Sequence, residues 1–427
     1  MRRLILFAAL LILIPGAPLL STEWHDIYST LGASNEDRVQ NTGQTIFPTL
    51  LIPVGGEFEG MGQAYTAVAR DASFFEANPA ASASLEFTEL TLVHNNWIAD
   101  TSIDGAIYTW RYGDLGVGAA GKFLHVPFTQ IDATSQQGAG GRYSEGTAGL
   151  NISYNLFRSF YFPGVAIGAT VKGVYRTVPE AVAPGQSAVG YAADLGLLSR
   201  FNLLKFFASR TPNFGIGVAA TNFGPSVRGE PLPSEVTAGL AYAPIRPVTL
   251  AADFFLPVSL EPDIAPPPFG GSAGVSVQVT PFFSVRSGML LRWGSSRISA
   301  GATIELTDFS VDINYNLDKT TQFVFLDRFS IQARLNFGDE GRGALRDRVD
   351  RYYLDAWRAS ATGNLAETVE LSERALELDP TFTPARELLI MTQQTLQLQR
   401  DLRSIDLDSL GEALGDAEND ADAEENE

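Results

Sequence analysis

The sequence predicts a mainly β protein, an antiparallel transmembrane β-barrel of about 14 strands with an N-terminal hatch and a C-terminal α-helical appendage. Three observations support this prediction. Apolar and polar residues alternate with a period of two from about residue 87 to residue 337, the alternation divides into fourteen segments, and the connections between segments alternate between short and long. Successive residues of a strand point to opposite faces, so each segment has one apolar face and one polar face.

The alternation is clearest near the end of the predicted barrel. Between residues 329 and 337 the apolar residues occupy every second position, and residues 309–316 and 165–172 repeat the pattern. A strand of a membrane barrel presents its apolar face to lipid and its polar face to the lumen. We therefore predict that residues 86–337 form the transmembrane barrel.

Strand and loop lengths agree with an outer-membrane barrel, which has strands of about 9–11 residues, short periplasmic turns and long outer loops. With an even number of strands, the chain enters and leaves the barrel on the same side, here the periplasmic side. We therefore expect the segments 125–144 and 257–270 to be outer loops and residues 338–427 to be periplasmic. The predicted strands start near residues 87, 103, 114, 146, 164, 188, 212, 233, 247, 271, 282, 296, 308 and 328.

The first residues predict export. Two arginines precede an unbroken apolar run from Leu4 to Ile14, followed by Pro15 and Gly16. A basic start and a short apolar run are typical of a secretory signal peptide, and the run is shorter than the roughly 20 residues that a membrane-spanning helix needs. We assign residues 1–21 to a signal peptide and place the protein in the cell outer membrane.

Composition excludes several classes of function. The chain has no cysteine, three histidines and a net charge of −19, so we predict no disulfide, metal site, cofactor or nucleic-acid partner. The segment Gly270 to Gly274 satisfies the pattern G-x-S-x-G, but a nucleophile elbow needs a strand–turn–helix setting and this serine begins a predicted strand. We predict no catalytic residue and no enzyme.

The segment before the first strand, within residues 22–85, has the composition of a lumen hatch. Gly60 and Gly62 permit close backbone approach, and small residues between them and Ala72 recur at helical spacing. Asn78 and Pro79 then favour a turn that ends the helix. An ordinary helix and turn leading into a strand is the alternative.

These residues, from Gly60 to Ala80, resemble the N-terminal hatch of the FadL-type long-chain fatty acid transporters, and the chain is most similar to a spirochaetal branch of that family. The resemblance covers about residues 55–337 and implies a fourteen-stranded barrel that transports hydrophobic molecules. Arg70 stands where the family hatch has an acidic residue. The hatch residues that the resemblance implies are Gly60, Gly62, Asp71, Phe74, Phe75, Asn78 and Pro79.

Basic residues on the predicted lumen face are candidates for binding the head group of an amphiphilic ligand, since arginine can hold a carboxylate through two hydrogen bonds. The alternative is that they pair with acidic residues inside the barrel. No spacing selects one over the others. The candidates are Lys172, Arg176, Arg286 and Arg292.

The third predicted strand is rich in glycine, at Gly116, Gly118 and Gly121. Glycine inside a strand often marks a bulge or a bend. In the resembling family a kink in strand three opens the wall sideways, which implies lateral exit of ligand into the membrane. Equally, a glycine here can make room for a side chain of the hatch.

The chain after the barrel differs in composition, with a net charge of −13 over residues 338–427. Residues 338–403 predict helices, and the stretches 363–365 and 375–380 partly match one tetratricopeptide-like repeat, which would grip a periplasmic protein or cap the barrel mouth. The acidic block at 404–427 predicts a disordered tail.

Two functions fit these predictions. The first is passive uptake of long-chain fatty acids or other hydrophobic small molecules through a hatch-plugged lumen. The second is an outer-membrane scaffold or secretion-shuttle barrel whose helical tail binds a periplasmic partner. A lipid bound in the lumen would favour the first, and a stoichiometric partner on residues 345–403 would favour the second.

Overall fold

A computed structural model describes most of the chain. The predicted signal peptide and the predicted acidic tail lie outside the described residues. The described residues are 45–96, 101–131, 137–180, 183–207, 209–292, 296–318 and 328–402.

Fourteen antiparallel strands form a closed barrel in which each strand pairs with its sequence neighbours and β1 pairs with β14. The prediction of a fourteen-stranded antiparallel barrel is confirmed. The strands are β1 (Glu89–Asn96), β2 (Ser102–Tyr112), β3 (Leu115–Ile131), β4 (Gln137–Leu156), β5 (Val165–Thr177), β6 (Ala188–Phe201), β7 (Phe214–Phe223), β8 (Ser234–Ile245), β9 (Val248–Val258), β10 (Gly270–Thr280), β11 (Phe283–Leu291), β12 (Arg297–Glu305), β13 (Phe309–Asp318) and β14 (Arg328–Asn336).

The two ends of the barrel differ. At the end where β1 begins and β14 ends, hereafter the turn end, the connections 113–114, 246–247 and 281–282 have two residues each. At the opposite end, hereafter the loop end, β5–β6, β7–β8 and β9–β10 are joined by the longer segments 178–187, 224–233 and 259–269. The β6–β7 connection at the turn end is also long, at residues 202–213, and its Arg210 pairs with Asp350 in the chain after the barrel.

The structure corrects the predicted outer loop 125–144. β3 continues to Ile131 and β4 begins at Gln137, nine residues before the predicted start near 146. The sequence from 137 to 146 is Gly-rich and polar and lacks the apolar alternation by which the other strands were recognised. Backbone pairing from His125 with Ser144 to Thr129 with Gly140 nevertheless continues the β3–β4 ladder.

The wall is apolar outside and polar inside. On β13 and β14 the outward residues Ile313 and Ile331 are exposed, whereas the alternating residues Asn314, Ser330 and Gln332 are almost completely buried in the lumen. A soluble protein has the opposite arrangement, and an outward apolar band around a polar interior is typical of a barrel that spans a membrane. Other exposed apolar residues of the wall are Leu92, Leu150, Ile152, Ile167, Val171, Leu195 and Leu240.

The segment 45–88 fills the lumen and is called the hatch below. It contains two short α-helices, α1 (Gly56–Gly60) and α2 (Phe74–Ala77), and two 3-10 helices, Pro48–Leu51 and Pro79–Ser84. The prediction of a longer helix within 60–80 is wrong. Gly62 and Gln63 adopt φ values of 65° and 68°, which end the helix, and turns follow up to α2.

The described residues after the barrel form three helices: α3 (Arg342–Ala361), α4 (Leu365–Leu378) and α5, at residues 383–402. They pack around Val349, Ala375, Phe382 and Ala385. The Asn364 side chain caps α4 by accepting a hydrogen bond from the Glu367 N–H. In the part of the chain that the structure describes, no helix is long and apolar enough to cross a membrane. The tetratricopeptide-like character of this region stays a prediction.

Candidate functional site: the hatch and the lumen

The hatch has an apolar core of its own that continues into the wall. Phe58, Tyr65, Phe74 and Phe75 are buried, and the rings of Phe74 and Phe75 meet edge to face with centroids 6.2 Å apart. The two phenylalanines predicted as hatch residues therefore lie at its centre. The wall contributes mainly small side chains to this core, at Ala166, Leu198, Ala241 and Ala251.

Glycines of the wall make room for the hatch backbone. A Cβ atom at Gly116 would lie 2.2 Å from the carbonyl carbon of Ser82, and one at Gly118 would lie 2.9 Å from the Phe74 ring. Gly121 differs, since its nearest neighbour would be 3.9 Å away. β3 pairs residue by residue with β2 and β4 through all three glycines. Gly116 and Gly118 thus accommodate the hatch, and the ladder is continuous where a kink was predicted.

Asn78 fastens the last turn of the hatch. Its Oδ1 accepts a hydrogen bond from the Ala80 N–H at 3.1 Å, and its Nδ2 donates to the carbonyl oxygens of Thr66 at 2.9 Å and of Leu197 at 3.0 Å. Pro79 begins the second 3-10 helix, where a missing N–H costs nothing. One side chain therefore joins two parts of the hatch to β6.

Carboxylates of the wall accept hydrogen bonds from N–H groups of the hatch backbone that lie outside its helices or at a helix start. One oxygen of Asp253 on β9 accepts the N–H groups of Tyr65 at 3.0 Å and Thr66 at 2.8 Å. Glu145 on β4 accepts the Thr49 N–H at 3.2 Å and the Thr49 hydroxyl at 2.5 Å. The hatch depends on the wall for partners of its backbone.

The first predicted hatch glycines lie against the wall near a charged cluster. A Cβ atom at Gly60 would lie 2.4 Å from Asn314 Oδ1, and one at Gly62 would lie 2.5 Å from the Met289 nitrogen. Asp71 accepts the Tyr65 hydroxyl and the Ser73 N–H, each at 3.0 Å. All the predicted hatch residues are therefore in the lumen.

Charged residues of the hatch pair with one another and with the wall. Arg70 donates to both carboxylate oxygens of Glu57. Glu59 pairs with Arg328 of β14 at 2.6 Å, and both side chains are almost completely buried. Such pairs are costly to break one partner at a time, because the remaining charge stays buried. They hold the hatch in a defined position.

Lys172 and Arg292 line one cavity of about 40 Å³ on the loop side of the hatch. Lys172 pairs with Asp194 at 2.6 Å and donates to Asn222 at 3.0 Å, and Arg292 pairs with Glu235 at 3.0 Å. The hatch contributes Ile52, Phe58, Gln63 and Glu76, among others, to the lining of the cavity. Two predicted head-group residues therefore share a cavity.

The other two predicted head-group residues lie elsewhere. Arg286 is buried with Asp312, and its Nε donates to Asn314 at 3.3 Å. Arg176 lies near the loop end, where its Nε donates to the Gln186 carbonyl at 3.2 Å. The alternative expectation, that basic residues of the lumen pair with acidic ones, holds for Lys172, Arg286 and Arg292, and Arg176 lies 3.9 Å from Glu230.

A volume of about 40 Å³ cannot hold a fatty acid, since pockets for small molecules typically measure about 300–1,000 Å³. A hydrophobic ligand can pass only if part of the hatch moves.

Among the wall cations that contact the hatch and were not predicted, three lie on β3, β6 and β14. Lys122 on β3 pairs with Glu76 and donates to the Ile52 carbonyl at 2.9 Å. Arg200 on β6 donates to the carbonyls of Val68 at 2.7 Å and Ala69 at 2.9 Å. Arg328 is the third. The strand period places all three inward, but their hatch partners are backbone groups and carboxylates that no sequence spacing identifies.

The fold and the site define a class: a membrane-spanning barrel of fourteen strands whose lumen is closed by its own N-terminal segment. The family model described as Uncharacterised protein family (UPF0164) matches residues 27–339, and the chain belongs to this family. The match extends three residues beyond β14, so it includes the hatch and the wall.

Relatives of known sequence come from Treponema pallidum (strain Nichols). A UPF0164 protein of that organism is 28% identical over 387 residues, which are 86% of this chain and 87% of the relative. Another is 33% identical over 180 residues, 41% of this chain and 53% of the relative.

Two solved structures are also similar to the chain. The toluene transporter TbuX of Ralstonia pickettii has 13% identity and a TM-score of 0.45, covering 67% of this chain and all of that one. The toluene transporter TodX of Pseudomonas putida has 13% identity and a TM-score of 0.45, covering 69% of this chain and 98% of that one.

Proposed function

We propose that this protein is an outer-membrane transporter that admits long-chain fatty acids or other small hydrophobic molecules passively through the hatch-plugged lumen. The turn end of the barrel, where β1 begins and β14 ends, would face the periplasm, together with the C-terminal helices. The apolar band on the wall and the polar, plugged lumen support this proposal.

The observation that carries the proposal is that the hatch and the wall are separate units. All fourteen strands pair only with one another, and the hatch contributes no strand to the barrel. The hatch is attached to the barrel mainly by side-chain hydrogen bonds, ion pairs and close packing, and backbone hydrogen bonds join it only near its ends, from the Ile46 N–H to the Pro231 carbonyl and between Thr88 and residues 337–338. It can therefore shift without opening the hydrogen-bonded wall, whose edges are all paired.

Ligand would enter at the loop end and meet the cavity beside Lys172 and Arg292. A carboxylate head group would replace Asp194 or Glu235 as the partner of one of these cations, and arginine would hold it through two parallel hydrogen bonds. Arg176, nearer the loops, would attract the anion earlier. The alkyl chain would displace Leu50, Ile52 and Phe58, which line the same cavity.

The exit of the ligand would lie at the turn end. The continuous pairing of β3 with β2 and β4 favours this route over a sideways opening through Gly116 to Gly121. The second 3-10 helix of the hatch would have to move, because it fills the lumen between β3 and β6.

A reversible lock between hatch and wall tests the proposal. The hydroxyl oxygens of Ser82 in the hatch and Ser153 in β4 lie 2.5 Å apart, a separation compatible with a disulfide after both serines are replaced by cysteine. The chain has no other cysteine. In lipid vesicles, the oxidised S82C/S153C protein should lose uptake of labelled oleate, and dithiothreitol should restore it.

A matched control places the disulfide within the wall. Ser299 and Asn316 face each other across β12 and β13, and their side-chain oxygens also lie 2.5 Å apart. Oxidised S299C/N316C should transport like the parent protein, because the hatch stays free. Undiminished oleate uptake with the Ser82–Ser153 disulfide fully formed would overturn the proposed route.

A further inference from the structure

The hatch and the C-terminal helices are joined where the barrel closes. The pairing of β1 with β14 continues past both strands, since the Phe337 N–H donates to the Thr88 carbonyl at 2.8 Å and the Thr88 N–H donates to the Gly338 carbonyl at 2.9 Å. Thr88 ends the hatch, and Gly338 precedes α3. The exit from the hatch and the entrance to the helices thus run side by side.

Arg342, the first residue of α3, strengthens this junction. Its guanidinium donates to the carbonyl of Arg111 at the end of β2, at 2.7 Å, and to the carbonyl of Glu86 in the hatch. Arg111 in turn donates to the Leu85 carbonyl at 2.7 Å. Two arginines therefore hold consecutive carbonyls of the hatch, and one of them belongs to the helical region.

Asp339 sets the direction of α3 at this junction. Its carboxylate accepts the N–H groups of Gly343 at 2.6 Å and Gly341 at 3.0 Å, and these bonds lower the pKa of Asp339 below its usual value. Gly338 and Gly341 adopt φ values of 99° and 75°, so the chain turns sharply here. The segment 338–341 is the connection about which the helices could swing.

A second anchor fixes the helices to other turns of the same end. Arg210, in the β6–β7 connection, forms two hydrogen bonds with Asp350 of α3, at 2.8 and 2.7 Å. The Arg210 guanidinium also lies over the rings of Phe160 and Phe382, at 5.7 and 5.9 Å. Phe160 belongs to the β4–β5 connection, and its ring is 4.9 Å from that of Phe382.

The two anchors bracket the strands that hold the last part of the hatch. Ser82 contacts Ser153 of β4, a Cβ atom at Gly168 of β5 would meet the Pro79 carbonyl at 2.3 Å, and Asn78 bonds to β6. The helical region is thus attached at the junction of β14, β1 and β2 and again at the turns after β4 and β6.

We propose that residues 338–402 form a clamp that keeps the hatch closed from the turn end, so that release of these helices permits the second 3-10 helix to leave the lumen. The inference rests on the proposed function insofar as transport requires movement of the hatch. The clamp itself predicts a change in hatch accessibility that can be measured without any substrate.

Accessibility of a hatch cysteine tests the clamp. Ala83 is completely buried, and A83C would be the single cysteine of the chain. The charge reversal R210E places two acids opposite each other. We expect R210E to raise the rate of A83C labelling by a water-soluble maleimide about tenfold, because an ion pair and two ring contacts are lost. R342A should raise the rate as well.

A charge swap separates loss of the clamp from general damage. The variant R210E/D350R restores opposite charges, and its labelling rate should return to within about twofold of the parent. R374E, which disrupts an exposed pair with Glu370 inside α4, should leave the rate unchanged. Heat-modifiable migration verifies folding, and D350A replaces R210E if that variant does not fold.

Equal labelling of A83C in the parent and in folded R210E, D350A and R342A would overturn the clamp. That result would leave the transport proposal standing if the Ser82–Ser153 disulfide still blocks uptake. Conversely, faster labelling after loss of the clamp, with no oleate uptake by any variant, would retain the clamp and reject the transport proposal.

Discussion

Asn78 of the hatch occupies the space that Gly196 leaves in β6, where a Cβ atom would lie 2.3 Å from Asn78 Oδ1. The carbonyl of the neighbouring residue Leu197 accepts a hydrogen bond from the Asn78 side chain. A wall residue without a side chain and a hatch residue with a short polar one therefore form a single contact. Gly116 and Gly288 leave similar spaces in the wall, and there backbone atoms of the hatch occupy the position of the missing Cβ.

Asn78→Ala should loosen the end of the hatch. The substitution removes three hydrogen bonds in a buried site and leaves the Thr66 and Leu197 carbonyls without this partner. We expect a loss of about 2–3 kcal/mol in the free energy of unfolding, measured by denaturant titration in detergent, and flickering conductance in planar bilayers. N96A, at an exposed wall position, should change neither quantity. If N78A unfolded with the same free energy as the parent protein and its conductance did not flicker, this account would be contradicted.

Substitution of two glycines of β3 distinguishes a role in making room for the hatch from a role in strand flexibility. Gly116→Ala should push the Ser82–Ala83 backbone and destabilise the protein by about 1–3 kcal/mol, whereas Gly121→Ala has room for its Cβ. Unfolding in denaturant gives the stability, and ion conductance reports displacement of the hatch. If G121A lowered the stability and changed the conductance as strongly as G116A, flexibility of the strand would be the better explanation.

The start of α3 should respond to acid. The pKa of Asp339 is lowered by the N–H groups of Gly343 and Gly341, so its contribution is complete above the ordinary value of 3.8 and is lost as the pH falls through the lowered value. Hydrogen-exchange protection of residues 341–346, corrected for intrinsic rates, should fall in that range. D339N should show less protection at neutral pH and a flatter acid response. If the pH dependence of protection in D339N matched that of the parent protein, Asp339 would not stabilise the start of α3.

The orientation can be read from intact cells. An epitope inserted in the β9–β10 connection, at residues 259–269, should bind antibody without permeabilisation, and so should one near residue 184 in the β5–β6 connection. Epitopes after Lys205 in the β6–β7 connection or after Glu427 should require permeabilisation. The opposite labelling pattern would invert the barrel and place the helical clamp outside the cell.

The wall could be predicted from sequence because its signal is local. Thirteen of the fourteen predicted strand starts lie within two residues of the observed ones, and the start of β4 is the exception. Lipid on one side and a polar lumen on the other impose alternation on every strand that crosses the membrane. β4 begins in a Gly-rich stretch without that alternation, so pairing with β3 defines it instead.

The hatch could be located but not shaped from sequence. Glycine and alanine content, together with Asn78 and Pro79, marked the segment, but the partners of its backbone are distant in sequence. Asp253 lies almost 190 residues from Tyr65, whose N–H group donates a hydrogen bond to it. Only the closed barrel brings the two together. Lys172 and its partner Asp194 lie on neighbouring strands, but the presence of Lys172 and Arg292 around one cavity depends on which strands face each other across the lumen.

Conductance after removal of the hatch tests the central claim most directly. A variant that lacks residues 22–84, so that the chain behind the predicted signal peptide begins at Leu85, keeps all fourteen strands and both turn-end anchors of the helices. A barrel of this size is wider than an eight-stranded one, whose side chains nearly fill its interior. In planar bilayers, the full-length protein should be closed and the truncated protein, with folding verified by heat-modifiable migration, should form an open pore of steady conductance. Equal conductance of the two folded proteins would contradict the assignment of residues 45–88 as the plug.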